Sequence, residues 1–449
     1  MQVHDKFEII IDDVSEEGDG IGRHDNLIVF VEGGIPGDHL SVVCTEHKKN
    51  YAKGRIIKLL TPSVDRIKPE CPLAFTCGGC SVMHMDYAAQ LKFKEKKVEE
   101  ALRRIGGFSD LVIDSIIGME EPFRYRNKGL YPIREIRNQV VIGFYKKGSH
   151  TLIDVEDCLL QHSGHSKIIK AVKHFVEEND LTCYNDKSEE GFVRHLLIRN
   201  NDKGEYMVVL VVTSKHLPDA HGLVQGLIQT GLDIKSIYIN IHKEKGNKAL
   251  GKKTLRLYGE NTIKQELGGI TYDISPLSFF QVNTEQTKVL YDKVREFAAL
   301  KDTESAFDLY SGLGSISLLL AKDAKWVYGN EVMTDAIRDA NANAENNGIK
   351  NVSFHEGPAE VVFPRLVSDG HKADVVVVDP PRKGCEKEVL DTLLALSPER
   401  IIYVSCKPST LARDLKVLCE KDYQIVKVQP VDLFPHSMHV EAIVKLEKR

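Results

Sequence analysis

Three side chains in the last third of this 449-residue chain occupy positions from which chemistry could be done. Cys406 ends the apolar run IIYVS and precedes Lys407 and Pro408. A thiol between a strand end and a helix start, beside a cation, is a candidate for a lowered pKa and for nucleophilic attack. The alternative is a small buried hydrophobe. Asp379 closes the apolar run of DVVVVDPPRKG. In an open parallel sheet the carboxyl ends of strands face the ligand crevice, so Asp379 points at chemistry rather than only capping a turn. An aromatic residue after Asp-Pro-Pro would favour methylation of an amino nitrogen, but Arg382 stands there instead. Glu441 opens the final apolar segment, EAIVKLE, behind a loop carrying His436 and His439. An acid at the head of a core strand is costly unless used or paired. It reads as a general base or as a salt-bridged edge residue.

A second group of residues would hold a nucleotide-like ligand. SAFDLYSGLGSIS sets an apolar strand directly before Gly312-x-Gly314, which opens a helix. Glycines there let a ligand approach the backbone, and the helix start offers unpaired N–H groups. Glu331 follows at the end of the next strand, where a carboxylate can accept both ribose hydroxyls. The third position of a G-x-G-x-x-G is Ser317, and Asp308 lies four residues before the first glycine. Together these favour S-adenosylmethionine over a dinucleotide.

Two further constellations point to a metal and to RNA. Cys71, Cys77 and Cys80 lie within ten residues in a loop rich in glycine and proline. That is ligand spacing for zinc or an iron–sulfur cluster, with His84 or Cys158 as fourth ligand. Residues 47–64 hold Lys48, Lys49, Lys53, Arg55 and Lys58 with Tyr51 among them and no acid. FRYRNKGLYPIREIR (123–137) mixes Arg124, Arg126 and Lys128 with Tyr125 and other rings. Cations on phosphates and rings on bases suit single-stranded or flipped-out RNA, the bland reading being solvated turns and ribbons.

These residues need elements to position them. The first 60 or so residues are short β-branched runs punctuated by Asp-Gly, Gly-Gly and Pro-Gly-Asp, which predicts a small OB-like barrel. A mixed region follows to about residue 275, with helical periodicity at 90–104. From 276 onwards helices and strands alternate, which predicts a doubly wound sheet with a last antiparallel element. The expected boundaries are 1–62, 63–275 and 276–449. Sixty basic against 65 acidic residues exclude a protein coated in positive charge, without excluding local RNA contacts. Nine cysteines are too few for a disulfide scaffold and fit a reducing compartment. No signal peptide or membrane span is visible, so a soluble cytoplasmic protein is expected.

Taken together, NYAKGRI, CPLAFTCGGCSVMH with Cys158, FRYRNK, SFFQVN, DLYSGLGSIS, DPPRKG, VSCKPSTLARDL and FPHSMHVEAI resemble the RNA 5-methyluridine methyltransferases of the TRAM-bearing, iron–sulfur type. The resemblance runs nearly end to end. It implies an α/β class I methyltransferase domain, an N-terminal TRAM barrel and a central α+β iron–sulfur domain, with the helix near 90–104 packed on the catalytic domain. It implies a [4Fe–4S] cluster on Cys71, Cys77, Cys80 and Cys158. Gln281, Asp308, Tyr310, Gly312, Gly314, Glu331 and Asp379 would line the S-adenosylmethionine and substrate pocket. Cys406 would be the nucleophile and Glu441 the base, with Asp379 selecting uracil. Lys48, Lys49, Tyr51, Lys53, Arg55, Arg124, Tyr125, Arg126, Lys128 and Arg382 would meet the RNA. The expected substrate is 23S ribosomal RNA, with transfer RNA as the alternative and no protein partner, the enzyme acting as a monomer. Asn330, Met333–Asp335 and Pro358 depart from the pattern. Two rivals remain: a nucleobase amino-methyltransferase, which needs neither Cys406 nor Glu441, and an RNA-binding iron–sulfur module with a vestigial site.

Overall fold

The computed structural model describes residues 1–246 and 248–449. Contacts divide the chain into two compact units. The first comprises Met1–Lys96, Phe144–Ile153 and Phe434–His439; the second holds Lys97–Gly143, Asp154–Leu433 and Val440–Arg449.

The first unit is built on a closed barrel of β1 (Lys6–Val14), β2 (Gly20–His24), β3 (Leu27–Val31), β4 (His39–His47) and β5 (Tyr51–Thr61), ordered β1-β2-β3-β5-β4. Alternation builds it: Ile9, Ile11, Leu40, Val42 and Cys44 point inward while their neighbours face out. The sequence reading does not single out β2, because GIGRH has few β-branched residues. Gly22 serves close backbone approach: a Cβ there would lie 2.3 Å from the Ile10 carbonyl oxygen. Buried Asp38 ties the barrel to the following segment by accepting from Arg66 and from the backbone N–H of Ser63 at 3.0 Å. The segment 434–439 is stitched into this unit too. Lys94 Nζ donates to the Phe434 carbonyl at 3.0 Å, and the His436 N–H donates to Gln90 Oε1 at 3.0 Å.

Helix α1 (Tyr87–Ala101) ends in a π-turn, Leu102–Gly106, in the second unit. There follow β6 (Lys128–Ile136), β7 (Gln139–Tyr145), β8 (Leu152–Asp154), α2 (Gly164–Glu178), β9 (Val193–Asn200), β10 (Glu205–Val212), α3 (Ala220–Ile228), β11 (Asp233–Ile241) and β12 (Lys253–Gly259). Within the second unit these strands run β12-β11-β10-β9-β6-β7. A hairpin of β13 (Ile263–Leu267) and β14 (Ile270–Ile274) leads to the C-terminal part.

That part contains α4 (Thr284–Ala298), β15 (Ser305–Leu309), α5 (Ser315–Leu320), β16 (Trp326–Glu331), α6 (Thr334–Asn346), β17 (Val352–Glu356) and α7 (Ala359–Ser368). It continues with β18 (Val375–Val378), α8 (Lys387–Leu396), β19 (Arg400–Ser405), α9 (Pro408–Leu418), β20 (Tyr423–Val431) and β21 (Glu441–Lys448). The sheet order is β17-β16-β15-β18-β19-β21-β20, parallel except for β21 against its two neighbours. Helices on both faces explain why all four valines of β18 are buried. Val375 and Val377 enter one core, which reaches the hairpin; Val376 and Val378 enter the other, with Val98 and Leu102. The strand order reverses between β15 and β18, and a crevice opens beyond their carboxyl ends.

One helix, α7, is absent from the sequence reading, which passes directly from strand NVSFHEG to strand DVVVVDPP. Its β-branched residues and the internal Pro364 hide it. Pro358 serves as its N-cap position, with an extended backbone (φ −59°, ψ 137°).

Candidate active site

The glycine turn after β15 forms one wall of the crevice. Tyr310, Gly312 and Gly314 all have positive φ, at 69°, 56° and 85°. A Cβ on Gly312 would meet nothing within 4 Å, so this backbone faces open space, whereas one on Gly314 would strike Phe354 at 2.8 Å. Gly312 leaves room for a ligand and Gly314 leaves room for packing. Glu331, at the end of β16, accepts from the Gly312 N–H at 3.0 Å and from the Met333 N–H at 2.9 Å. Each carboxylate oxygen keeps lone-pair capacity for a ribose hydroxyl. Asp308 is fully buried; Ser317 donates to its Oδ2, and its Oδ1 has no partner among the described residues. Burial, with Asp379 and Glu331 nearby, pushes its carboxyl up to about 7. The open cradle, the Asp308 Oδ1 left without a partner among the described residues and the braced Glu331 fit an S-adenosylmethionine with its amine, ribose and sulfonium charge. Gln281 precedes α4, and its carbonyl accepts from Asn127 Nδ2 at 2.8 Å.

Asn330 explains one departure from the expected pattern. It is buried, and its amide donates to the carbonyls of His355 and Gly357, each at 3.0 Å. It therefore latches β16 to the β17 side and is not turned to the crevice. Val332 and Met333, immediately beyond Glu331, are exposed apolar side chains.

Chemistry-bearing residues converge on the other wall. Ser405 of β19 is paired with Ala442 of β21, so the next residues along, Cys406 and Glu441, face each other across the antiparallel pair. Val378 pairs with Tyr403, which brings Asp379 to the same end of the sheet. Burial pushes the Glu441 carboxyl up to about 8, Asp379 reinforcing the effect and Arg382 opposing it. Burial likewise raises Asp379 to about 7. Cys406 is raised to about 11 by burial and by Glu441 and Asp379, against the pull of Arg382. The sequence expectation of a lowered thiol pKa is therefore corrected. Folding buries the thiol and brings two carboxyls to it, and together these outweigh the cation.

The loop bearing Arg382 is fixed from α9. Cys385 N–H and Tyr403 Oη both donate to Asp414 Oδ2, at 2.9 and 2.6 Å, and Thr410 Oγ1 donates to the Arg382 carbonyl at 3.2 Å. The sequence reading assigned nothing to Asp414, Asn127 or Tyr291. Tyr291 is buried, 3.0 Å from Ser315 Oγ, and its hydroxyl is raised by burial and by Asp379, Asp308 and Glu441. Asn127 and Asp414 carried a signal, their places inside FRYRNK and VSCKPSTLARDL, and Tyr291 carried none.

The other expected sites fall in both units. Lys48 and Lys53 each pair with Glu46 at 3.3 Å, Lys49 and Arg55 are exposed, and Tyr51 packs edge-on against Phe30. Exposed pairs of this kind are weak and can yield to phosphate. Arg124 is committed elsewhere: both its terminal nitrogens lie 2.7 Å from Asp157 oxygens, and it also donates to the Cys158 carbonyl at 3.0 Å. Cys71, Cys77 and Cys80 belong to the first unit and Cys158 to the second. Among the described residues no group of three or more His, Cys, Asp or Glu side chains is gathered to hold a metal. Cys77 accepts from the Gly79 N–H at 3.4 Å, and burial, with Cys71 nearby, raises its thiol. No step of the chemistry is routed through a metal cluster.

A doubly wound sheet of this order with a glycine cradle after its first strand defines a class I methyltransferase. The chain belongs to the tRNA (uracil-5-)-methyltransferase family, whose pattern matches residues 200–449, and carries a TRAM domain over residues 2–57. It is 44% identical over 439 residues to an RNA methyltransferase of Clostridium tetani, covering 98% of this chain and 95% of that protein. It is 42% identical to one of Caldanaerobacter subterraneus, covering 100% and 99%. Among solved structures, it resembles the tRNA (uracil-54, C5)-methyltransferase of Pyrococcus abyssi in complex with S-adenosyl-L-homocysteine. The TM-score is 0.79 and the identity 29%, over 98% of this chain and all of that one. No helix among the described residues is long and apolar enough to cross a membrane.

Proposed function

We propose that the protein methylates carbon 5 of a uridine in RNA through a transient bond between Cys406 Sγ and uracil carbon 6. The observation that carries this reading is the cross-strand opposition of Cys406 and Glu441 beside Asp379. Carbon 5 of uracil is a weak nucleophile. Attack by the Cys406 thiolate at carbon 6 pushes electrons into an enolate and makes carbon 5 nucleophilic. S-adenosylmethionine, when bound, supplies an electrophilic sulfonium methyl group, which carbon 5 takes. Glu441 then removes the carbon-5 proton, and the electrons of that C–H bond expel the thiolate. Asp379 hydrogen-bonds the polar edge of the uracil and selects it over cytosine. Arg382 favours the thiolate that burial opposes. The base must leave its stack to reach this crevice.

The barrel residues Lys48, Lys49, Lys53 and Arg55, which are exposed, and half-buried Tyr51 are assigned to RNA contact, as is the segment with Tyr125, Arg126 and Lys128 on its charge and aromatic content. The RNA is taken to be 23S ribosomal RNA. Transfer RNA is the second reading, favoured by the substrate of the Pyrococcus abyssi relative. Mass-spectrometric mapping of 5-methyluridine in both RNAs, with and without the gene, separates them.

Cys406→Ala is expected to bind RNA and S-adenosylhomocysteine normally and to lose methylation by at least about 10³-fold. Appreciable turnover by that variant contradicts the nucleophile assignment. A [4Fe–4S] cluster on Cys71, Cys77, Cys80 and Cys158 rests on the sequence resemblance alone. Iron and acid-labile sulfide in anaerobically prepared protein would support it; zinc, or neither, would remove it.

A further inference from the structure

Arg126, Lys128 and Arg199 form a group of cations with no carboxylate against them among the described residues. Lys128 opens β6, and its partner across the antiparallel pair is Arg199 on β9. Burial first, and then the neighbouring charges of Arg199 and Arg126, bring the Lys128 amine down to about 8. Arg199 is 4% exposed, and burial alone brings it down to about 10. It donates one terminal N–H to the Ser278 carbonyl. The Nε atoms of Arg126 and Arg199 are both buried without a hydrogen-bond partner. Buried like charges with unpaired donors are costly when left empty. Guanidinium and ammonium donors grouped in this way suit an anion with two charged oxygens.

An exposed aromatic ring lies beside Lys128. Lys128 Nζ lies 5.9 Å from the ring centroid of Phe279, which is 66% exposed. The loop carrying Phe279 is held rigidly: Ser278 Oγ donates to Asp339 at 2.6 Å, and Asn127 holds the carbonyl of Gln281 at 2.8 Å. The anion would therefore sit next to the segment that leads into the methyl-transfer crevice.

We infer that Arg126, Lys128 and Arg199 form a pocket for one backbone phosphodiester of the RNA, at a linkage adjoining the nucleotide that enters the crevice. This rests on RNA being the substrate. A phosphodiester offers two charged oxygens to a guanidinium fork and an ammonium, and it explains why three cations stand without a counter-ion. Arg124 is excluded from the pocket because Asp157 already neutralises it.

The test uses the full chain and an RNA stem-loop with uridine in its loop. Binding is followed over a salt series, with intact RNA and with single methylphosphonate linkages walked along the loop. Binding of S-adenosylhomocysteine is measured in parallel. Lys128→Gln is expected to weaken RNA about 10-fold and to flatten the salt slope by roughly 0.7. One methylphosphonate position should weaken the wild-type protein and have no further effect on that variant. Lys128→Arg should restore binding, which a merely misfolded variant series would not show. Unchanged affinity and slope in Lys128→Gln would overturn the pocket. So would loss of S-adenosylhomocysteine binding with RNA binding kept, which would give these cations to a cofactor carboxylate. A wild-type protein that binds no RNA overturns the substrate reading itself.

Discussion

At the scale of the residue, Glu441 is a carboxyl held where its charge is unwelcome. Burial and Asp379 raise it to about 8. The folded protein therefore keeps a proton that the unfolded chain releases in the ordinary glutamate range. Its contribution to stability is full in acid and is lost as pH rises to about 8. Glu441→Gln is expected to be more stable than the parent at pH 9 by roughly 1–3 kcal/mol. Thermal melts at pH 5 and 9 check this, and an equal effect at both values contradicts it. The same environment sets the pH profile. Activity should rise with pH through about 8 as the base ionises, and go on rising as the thiolate fraction grows. Arg382→Gln removes the cation that opposes both upward shifts, so its acidic limb should move to higher pH with a lower rate. An unmoved limb in kcat/KM profiles contradicts a role for Arg382 in this balance. The identities of Cys406, Glu441 and Asp379 were legible in the sequence because each ends or begins an apolar strand. The sign of the Cys406 shift was not, because the thiol is buried, and Asp379 and Glu441 reach it, only after folding.

At the scale of the element, the sheet was legible because β15, β16, β18 and β19 are apolar runs with turn residues at their ends. Helix α7 was not, because Pro364 and three valines mask its period. The sheet order would have demanded it: a parallel return from β17 to β18 needs a crossover. Helix α4 shows how little of the positioning lies in local sequence. Its N-cap, Asn283, accepts from the Gln286 N–H at 3.1 Å, which a capping pattern could suggest. Its amide also donates to the Leu433 carbonyl at 3.1 Å, a tie across 150 residues that no local pattern reveals. Asn283→Ala is therefore expected to cost about 2 kcal/mol, more than a cap alone. Denaturant unfolding measures it, and a loss below about 0.5 kcal/mol contradicts the double role.

At the scale of the whole molecule, 60 basic and 65 acidic residues average over parts of opposite character. Several cations are neutralised at home: Arg124 by Asp157, Lys147 by Asp19, Arg400 by Glu304. Those left for RNA are few, so the salt dependence of binding should be shallow, with a log–log slope of roughly −2 to −4. A slope beyond about −7 would mean that RNA covers much more of the surface. Sequence reading could count charges but could not tell paired from unpaired ones, since Asp157 and Arg124 lie 33 residues apart. The central claim is that Cys406 bonds to the uracil and that Glu441 is needed to release it. The most direct measurement is denaturing electrophoresis with intact-mass analysis of Glu441→Gln incubated with RNA and S-adenosylmethionine. A covalent protein–RNA species carrying one added methyl group, absent from the Cys406→Ala,Glu441→Gln double variant, is the predicted result. A variant that binds RNA yet shows no shifted species, or one that methylates at the parental rate, would contradict the account.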